Sequence, residues 1–145
     1  MAPARTPPIY TSPQDAALAF YQAFEAKDID AMMTAWADDE EIVCIHPGSN
    51  RQVGIDAVRE SWRQIFAPGP RMRFQLLDVR VQGGRMLSVH NLYERITLAG
   101  ELRSHLVLAT NVYVLTPSGW RMLMHHGSPL PADAAAPEPA PGTLH

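Results

Sequence analysis

The sequence predicts an α+β domain in which three helices precede a meander of long antiparallel strands. Two observations carry that prediction. Up to Phe66 the apolar residues recur at helical spacing, and beyond Pro68-Gly69-Pro70 the period changes to two. The second observation is punctuation. Gly83-Gly84, Ala99-Gly100 and Thr116-Pro117-Ser118-Gly119 are turn signals that divide the second half into four strands.

Each element follows from local chemistry. Ser12 is a good N-cap, Pro13 suits the first helical position, and Asp15 complements the positive end of the helix dipole. Ala17, Phe20, Tyr21 and Phe24 then mark one apolar face. Asp28 caps a second, short helix with Ile29, Met32, Met33 and Trp36 inward, and the acidic run Asp38-Asp39-Glu40-Glu41 ends it as a solvated turn. A short apolar strand follows and ends on His46 before Pro47-Gly48. Gly54 opens a third helix that buries Ile55, Val58, Trp62, Ile65 and Phe66, and Pro68-Gly69-Pro70 stops it. The meander strands are expected from Phe74 to Gln82, Met86 to Leu98, Arg103 to Leu115 and Trp120 to His126. The helices must cover one sheet face, and curved strands leave a concave surface that can hold a pocket. The other face keeps apolar residues and is expected to meet a second copy of the chain.

The whole-chain properties bound the function. At 145 residues a single domain with a full core is expected. The core region spans residues 12–129. Residues 1–11 read as a flexible arm, and residues 130–145, rich in Pro and Ala, as a disordered tail. A composition of 46% hydrophobic and 19% charged residues is that of a globular protein. The net charge of −3, with dispersed arginines, argues against nucleic acid as a partner. No apolar run is long enough to cross a membrane, and no signal-peptide pattern opens the chain. Cys44 is the sole cysteine, so no internal disulfide forms, and a cytoplasmic location is expected.

His46 is the residue that first suggests chemistry. It is titratable near neutral pH and sits at a strand end, where a pocket rim or floor is commonly built. Cys44 shares its strand face, which would permit a Cys–His pair, although a buried inert thiol is the simpler reading.

The order of elements resembles the cone-shaped α+β fold shared by ketosteroid isomerase, nuclear transport factor 2 and the polyketide-cyclase-like (SnoaL-like) proteins. The segments that carry the resemblance are Ala26-Lys27-Asp28-Ile29-Asp30-Ala31 through Trp36-Ala37-Asp38-Asp39, then His46-Pro47-Gly48 with Gly54 before Ala57-Val58. Gly119-Trp120-Arg121-Met122 with His125-His126 completes them. The text looks closest to small bacterial members with "C-I-H-P-G" and "H-H-x-S-P" segments. The resemblance implies a curved antiparallel sheet that encloses a pocket with the three helices, a homodimer, and a small apolar or carbonyl-containing ligand without a cofactor.

It also implies site positions. In ketosteroid isomerases the general base is an Asp just before a proline at the end of this strand, and His46 stands there. Asn111 falls where the isomerase has an acid in its oxyanion hole, and Phe20 where it has a Tyr, with Tyr21 one residue away. Trp62 falls at a supporting aromatic position. The acidic dyad and the in-register Tyr are therefore replaced. His46 as base and Asn111 as hydrogen-bond donor would suit proton abstraction or aldol-type cyclisation, in an isomerase, cyclase or dehydratase. A non-catalytic ligand-binding or dimeric module is the alternative that the same fold allows.

His125 and His126 are adjacent, so only one can face inward. The set Trp120, Met122, Met124, His126, Ser128 continues the side that lines the family's cavity, which favours His126 as a catalytic polar partner of His46 beside Asn111; one bulge would reverse this. Tyr21, Trp36, Phe66, Tyr93 and Met124, with Phe20 and Trp62, complete the expected ligand-contacting set. No metal is expected, since no H-x-H or H-x-x-x-H spacing occurs.

Overall fold

The computed structural model describes residues 6–67 and 69–137. Helix α1 spans Pro13–Ala26, α2 Ile29–Ala35 and α3 Ile55–Phe66. Strands β1 (Val43–Ile45), β2 (Gln52–Val53), β3 (Met72–Gly83), β4 (Leu87–Leu98), β5 (Ser104–Thr116) and β6 (Gly119–Pro129) form one curved, unclosed sheet in the order β2-β1-β6-β5-β4-β3. The caps are those the sequence specifies. Ser12 accepts from the Asp15 amide at 3.0 Å, and Asp28 accepts from the Ala31 amide at 3.0 Å.

Two features depart from a pure antiparallel meander. Strand β1 pairs with β6 in parallel, so the sheet is mixed, and the segment read as loop after Pro47 contributes the two-residue β2. The remaining pairs are antiparallel. Part of the expected N-terminal arm falls at residues 1–5, outside the described residues. The rest is docked: Tyr10 bridges Gly119, and its carbonyl accepts from the Trp120 amide at 2.8 Å. Gly119 has φ +100°, and a Cβ there would lie 2.8 Å from the Tyr10 carbonyl oxygen, so only glycine fits. Of the expected tail, residues 138–145 lie outside the described residues.

The core lies between the helices and the inner sheet face. Phe20, Phe24, Trp62 and Phe66 pack on one another, with ring centroids from 4.7 to 6.2 Å. Their apolar burial is the main driving force for seating α1 and α3 on the sheet. It also fixes which face of each strand looks inward. On β4 the inner residues are Ser88, His90, Leu92 and Glu94, and on β5 they are Val107, Ala109, Asn111 and Tyr113.

Candidate functional site

A chain of buried hydrogen bonds crosses the inner face. Tyr21, on α1, donates its hydroxyl to Glu94 Oε2 at 2.6 Å. Asn111 Nδ2 donates to the Tyr21 hydroxyl oxygen at 2.9 Å. With its amide nitrogen so engaged, Asn111 Oδ1 accepts from His125 Nδ1–H at 2.6 Å. The order of donors fixes the His125 tautomer and leaves its Nε2 as a bare acceptor. All four residues are at least 95% buried. The sequence allows the chain because β4, β5 and β6 pair so that Glu94, Asn111 and His125 share one face under the Tyr21 edge of α1.

Burial sets the protonation states. Glu94 is pushed up to about 7 by desolvation, against the lowering effect of the Tyr21 hydrogen bond. His125 is lowered to about 3, chiefly by burial, then by the nearby His46 and His126. Burial first, then the Glu94 charge, holds the Tyr21 hydroxyl well above its usual value. Both imidazole and phenol therefore stay neutral at ordinary pH.

His46 lies in a separate corner. Its Nε2 is 3.0 Å from Ser61 Oγ, and Ser61 donates its own proton to the Val58 carbonyl at 2.7 Å, so His46 is the donor of that pair. Cys44 Sγ is 3.5 Å from the same nitrogen. Desolvation lowers His46 to about 4 and raises the Cys44 thiol far above its usual range. Such a thiol is not poised to be a nucleophile. The ring sits edge-on to Trp62 at 4.6 Å and 6.4 Å from His125.

The cavity that meets the hydrogen-bonded chain has a volume of about 250 Å³ and lies between α1 and strands β3–β5. Ala17, Leu18, Leu76 and Leu92 give it almost wholly apolar walls, and Tyr21 and Asn111 stand in its lining. His90 and Tyr113 also line it, and each carries a buried polar atom, Nε2 and Oη, with no hydrogen-bond partner. Leu18, Val79 and Val81, all exposed, ring its mouth. A larger open cleft of about 760 Å³ lies at Asp38, Asp39, Glu41 and the Thr116–Ser118 turn, but holds none of these buried groups.

The residues expected from sequence are thus divided. Tyr21 and Asn111 meet in the cavity, and His46 does not line it. Phe20, Trp62 and Phe66 are core, and Trp36 lines a different pocket beside α2. Three orientations are corrected. An unpaired residue, Leu123, bulges β6 between the Val112–Met124 and Tyr113–Met122 pairs. The bulge turns His125 inward and leaves His126 exposed, and it moves Met124 to the outer face. Tyr93, between the inward Leu92 and Glu94, also faces outward. Glu94 and His125 were not among the expected site residues, yet both belong to the buried hydrogen-bonded chain. Carrying the period of two on from Leu92 would have exposed Glu94 as an acid in an otherwise buried set. Among the described residues no three His, Cys, Asp or Glu side chains cluster closely enough to hold a metal ion. No described helix is long and apolar enough to cross a membrane.

Three helices over a curved, unclosed six-stranded sheet are the architecture of the NTF2-like cone fold. The chain belongs to the SnoaL-like domain family, whose model matches residues 14–133. A solved protein from Thiobacillus denitrificans, provisionally named a calcium/calmodulin-dependent protein kinase type II association domain, is 38% identical. That likeness covers 86% of this chain and 99% of the other, with a TM-score of 0.81. A provisionally named dehydratase of the NTF2-like family from Streptomyces avermitilis is 30% identical over 79% of this chain and 91% of its own, with a TM-score of 0.72. A provisional ketosteroid isomerase from Parabacteroides distasonis shares the fold at 18% identity, covering 81% and 87% of the two chains, with a TM-score of 0.67. No curated protein matches the chain.

Proposed function

We propose that the chain binds a small, largely apolar organic molecule bearing a carbonyl or hydroxyl oxygen in the cavity under α1. The observation that carries this is the Tyr21–Asn111 hydrogen bond in the lining of an otherwise apolar slot. A few polar groups in apolar walls are the usual make-up of a small-molecule site, where they orient the ligand. At about 250 Å³ the slot suits a small ligand.

Chemistry is a second reading, favoured by the 2.6 Å Tyr21–Glu94 contact. While Glu94 is ionised, Tyr21 must donate to it. Once Glu94 is protonated it donates to Tyr21, which frees the phenolic proton for a ligand oxygen. Asn111 adds its amide beside it, so the pair would stabilise negative charge developing on that oxygen. This suits an isomerase, cyclase or dehydratase acting next to a carbonyl. His46, outside the cavity lining, supports this reading less well as general base than the sequence implies. The outer face, where Tyr93, Leu106, Leu108 and Val112 lie half-buried, fits a homodimer interface, and the mass in solution tests that part.

The test is a thermal-shift screen of small carbonyl compounds against the wild type, Ala17→Phe and Tyr21→Phe. Ala17→Phe fills the slot without removing any member of the hydrogen-bonded chain, so a true ligand loses its stabilising effect there. Tyr21→Phe removes the hydroxyl and weakens carbonyl ligands more than their hydrocarbon counterparts. A ligand that stabilises all three proteins equally would sink the reading.

A further inference from the structure

A second pocket, of about 230 Å³, lies on the far side of β6, away from the cavity under α1. Arg121, Trp36, Met33, Thr34, Asp38 and Pro7 line it. Arg121 is only 4% exposed. Its Nη2 donates to the carbonyls of Pro8, at 2.6 Å, and Ser118, at 3.1 Å, and the Tyr10 ring covers its guanidinium at 4.6 Å. Its Nη1 is buried and has no hydrogen-bond partner, and no described carboxylate lies within 4.0 Å of it. Trp36, 2% exposed, is in the same condition: its Nε1–H is buried without a partner.

A buried cation with no counter-ion is costly, as is each unpaired buried donor. The two residues that carry these donors line one small pocket. Carbonyl contacts and an aromatic face hold the guanidinium in place but do not neutralise it. A ligand that answers both defects brings one negative charge and at least two acceptor oxygens, which is the chemistry of a carboxylate. Asp38, exposed at the pocket wall, opposes a second negative charge and disfavours a dianion such as phosphate. Met33, Pro7 and the Trp36 ring give a short apolar body a surface to contact.

We propose that Arg121 and Trp36 form a binding site for a small monocarboxylate, separate from the cavity under α1. The site closes on its ligand by a small adjustment that brings Nη1 and Nε1 to the carboxylate oxygens. The nearest competing occupant is Asp38 itself, which would have to swing inward.

The experiment is titration calorimetry and thermal shift with propionate and benzoate, with the matching amides as controls, at constant ionic strength set with chloride. Saturable stabilisation by the acids and none by the amides is expected. Trp36→Phe removes one donor while keeping a ring, and should weaken carboxylate affinity about ten-fold or more, as expected for a hydrogen bond to a charged group. Asp38→Asn should strengthen it. Arg121→Met should abolish it, and if that variant fails to fold the other two still decide the matter. Stabilisation no greater than that of chloride, or affinity unchanged in Trp36→Phe, overturns the proposal. Loss of stability in Asp38→Asn together with no response to carboxylates would show that Asp38 fills the site, and overturns it equally.

Discussion

Two corners of the inner face use the same kinds of side chain to different ends. At the β1–α3 corner, His46, Ser61 and Cys44 saturate one another, and Trp62 seals them. At the α1–β4–β5 corner, His125, Asn111, Tyr21 and Glu94 form a directed chain, two of whose members reach a cavity. The difference is space, not residue chemistry. Bulky Trp62 and Phe66 fill the first corner, whereas Ala17 and the edges of Leu18 and Val81 leave the second hollow. A titratable residue at a strand end becomes a site only where the packing stops short of it.

The largest effect should come from breaking the chain at its middle. Asn111→Ala leaves His125 Nδ1–H without an acceptor and Tyr21 without a donor, both buried from solvent. Each unsatisfied buried group costs about 1–3 kcal/mol, so with the lost volume a destabilisation on the order of 4 kcal/mol is expected in urea unfolding. An effect under about 1 kcal/mol would mean that the chain is not a structural unit.

The pH dependence of stability has an acid limb that both corners share and an alkaline limb that belongs to the α1–β4–β5 corner alone. His46 and His125 titrate near 4 and near 3 in the folded chain, against 6.5 when unfolded. Below 6.5 the unfolded chain therefore takes up protons that the folded chain refuses. Stability is full above that pH and falls as the pH drops toward 4 and 3. Glu94 has the opposite sign. Its folded value of about 7 exceeds 4.5, so its contribution is complete below 4.5 and is lost as the pH rises through 7. Two histidines against one acid place the maximum between about pH 6 and 7. Glu94→Gln keeps an acceptor for Tyr21 and should remove the alkaline decline, a gain of up to about 3 kcal/mol at pH 8. A decline of the same size in that variant would show that Glu94 is not its source.

These effects also mark what the sequence discloses. Three helices, their caps at Ser12 and Asp28, and the four long strands follow from local chemistry, because periodicity and capping act within a few residues. The parallel pairing of β1 with β6 does not, since it joins residues about 80 apart in sequence through packing alone. Asn111 and Tyr21, which line the cavity, came to notice through the family resemblance, Tyr21 only as the neighbour of the matched position. Glu94 was hidden because an acid on a strand reads as solvent-facing, and its partner Tyr21 lies 73 residues away. His125 was hidden by one residue: a bulge at Leu123 leaves no mark in composition and reverses every later side chain on β6.

A smaller effect tests whether His46 belongs to its own corner. Ser61→Ala removes the oxygen that accepts from His46 but leaves Cys44 in contact, and the site is only partly buried, so a loss of about 1 kcal/mol is expected. Ligand-induced thermal shifts should be unchanged, since neither residue lines the cavity. A ligand whose affinity falls in this variant would join the two corners into one site and restore His46 as a candidate base.

The smallest effect comes from the residue next to the largest player. His126 is exposed on the outer face, opposite Thr110 in the β5 register, whereas His125 is sealed against Phe20 and bonded to Asn111. His126→Ala should therefore change stability by no more than about 0.5 kcal/mol, as is usual for an exposed surface site. The same change at His125 strips Asn111 Oδ1 of its donor and opens a cavity beside Phe20, which should cost several-fold more. Urea midpoints of the two variants, measured side by side at pH 7, read the β6 parity directly. If His126→Ala proves the more damaging, the bulge at Leu123 is misplaced and the hydrogen-bonded chain ends at Asn111.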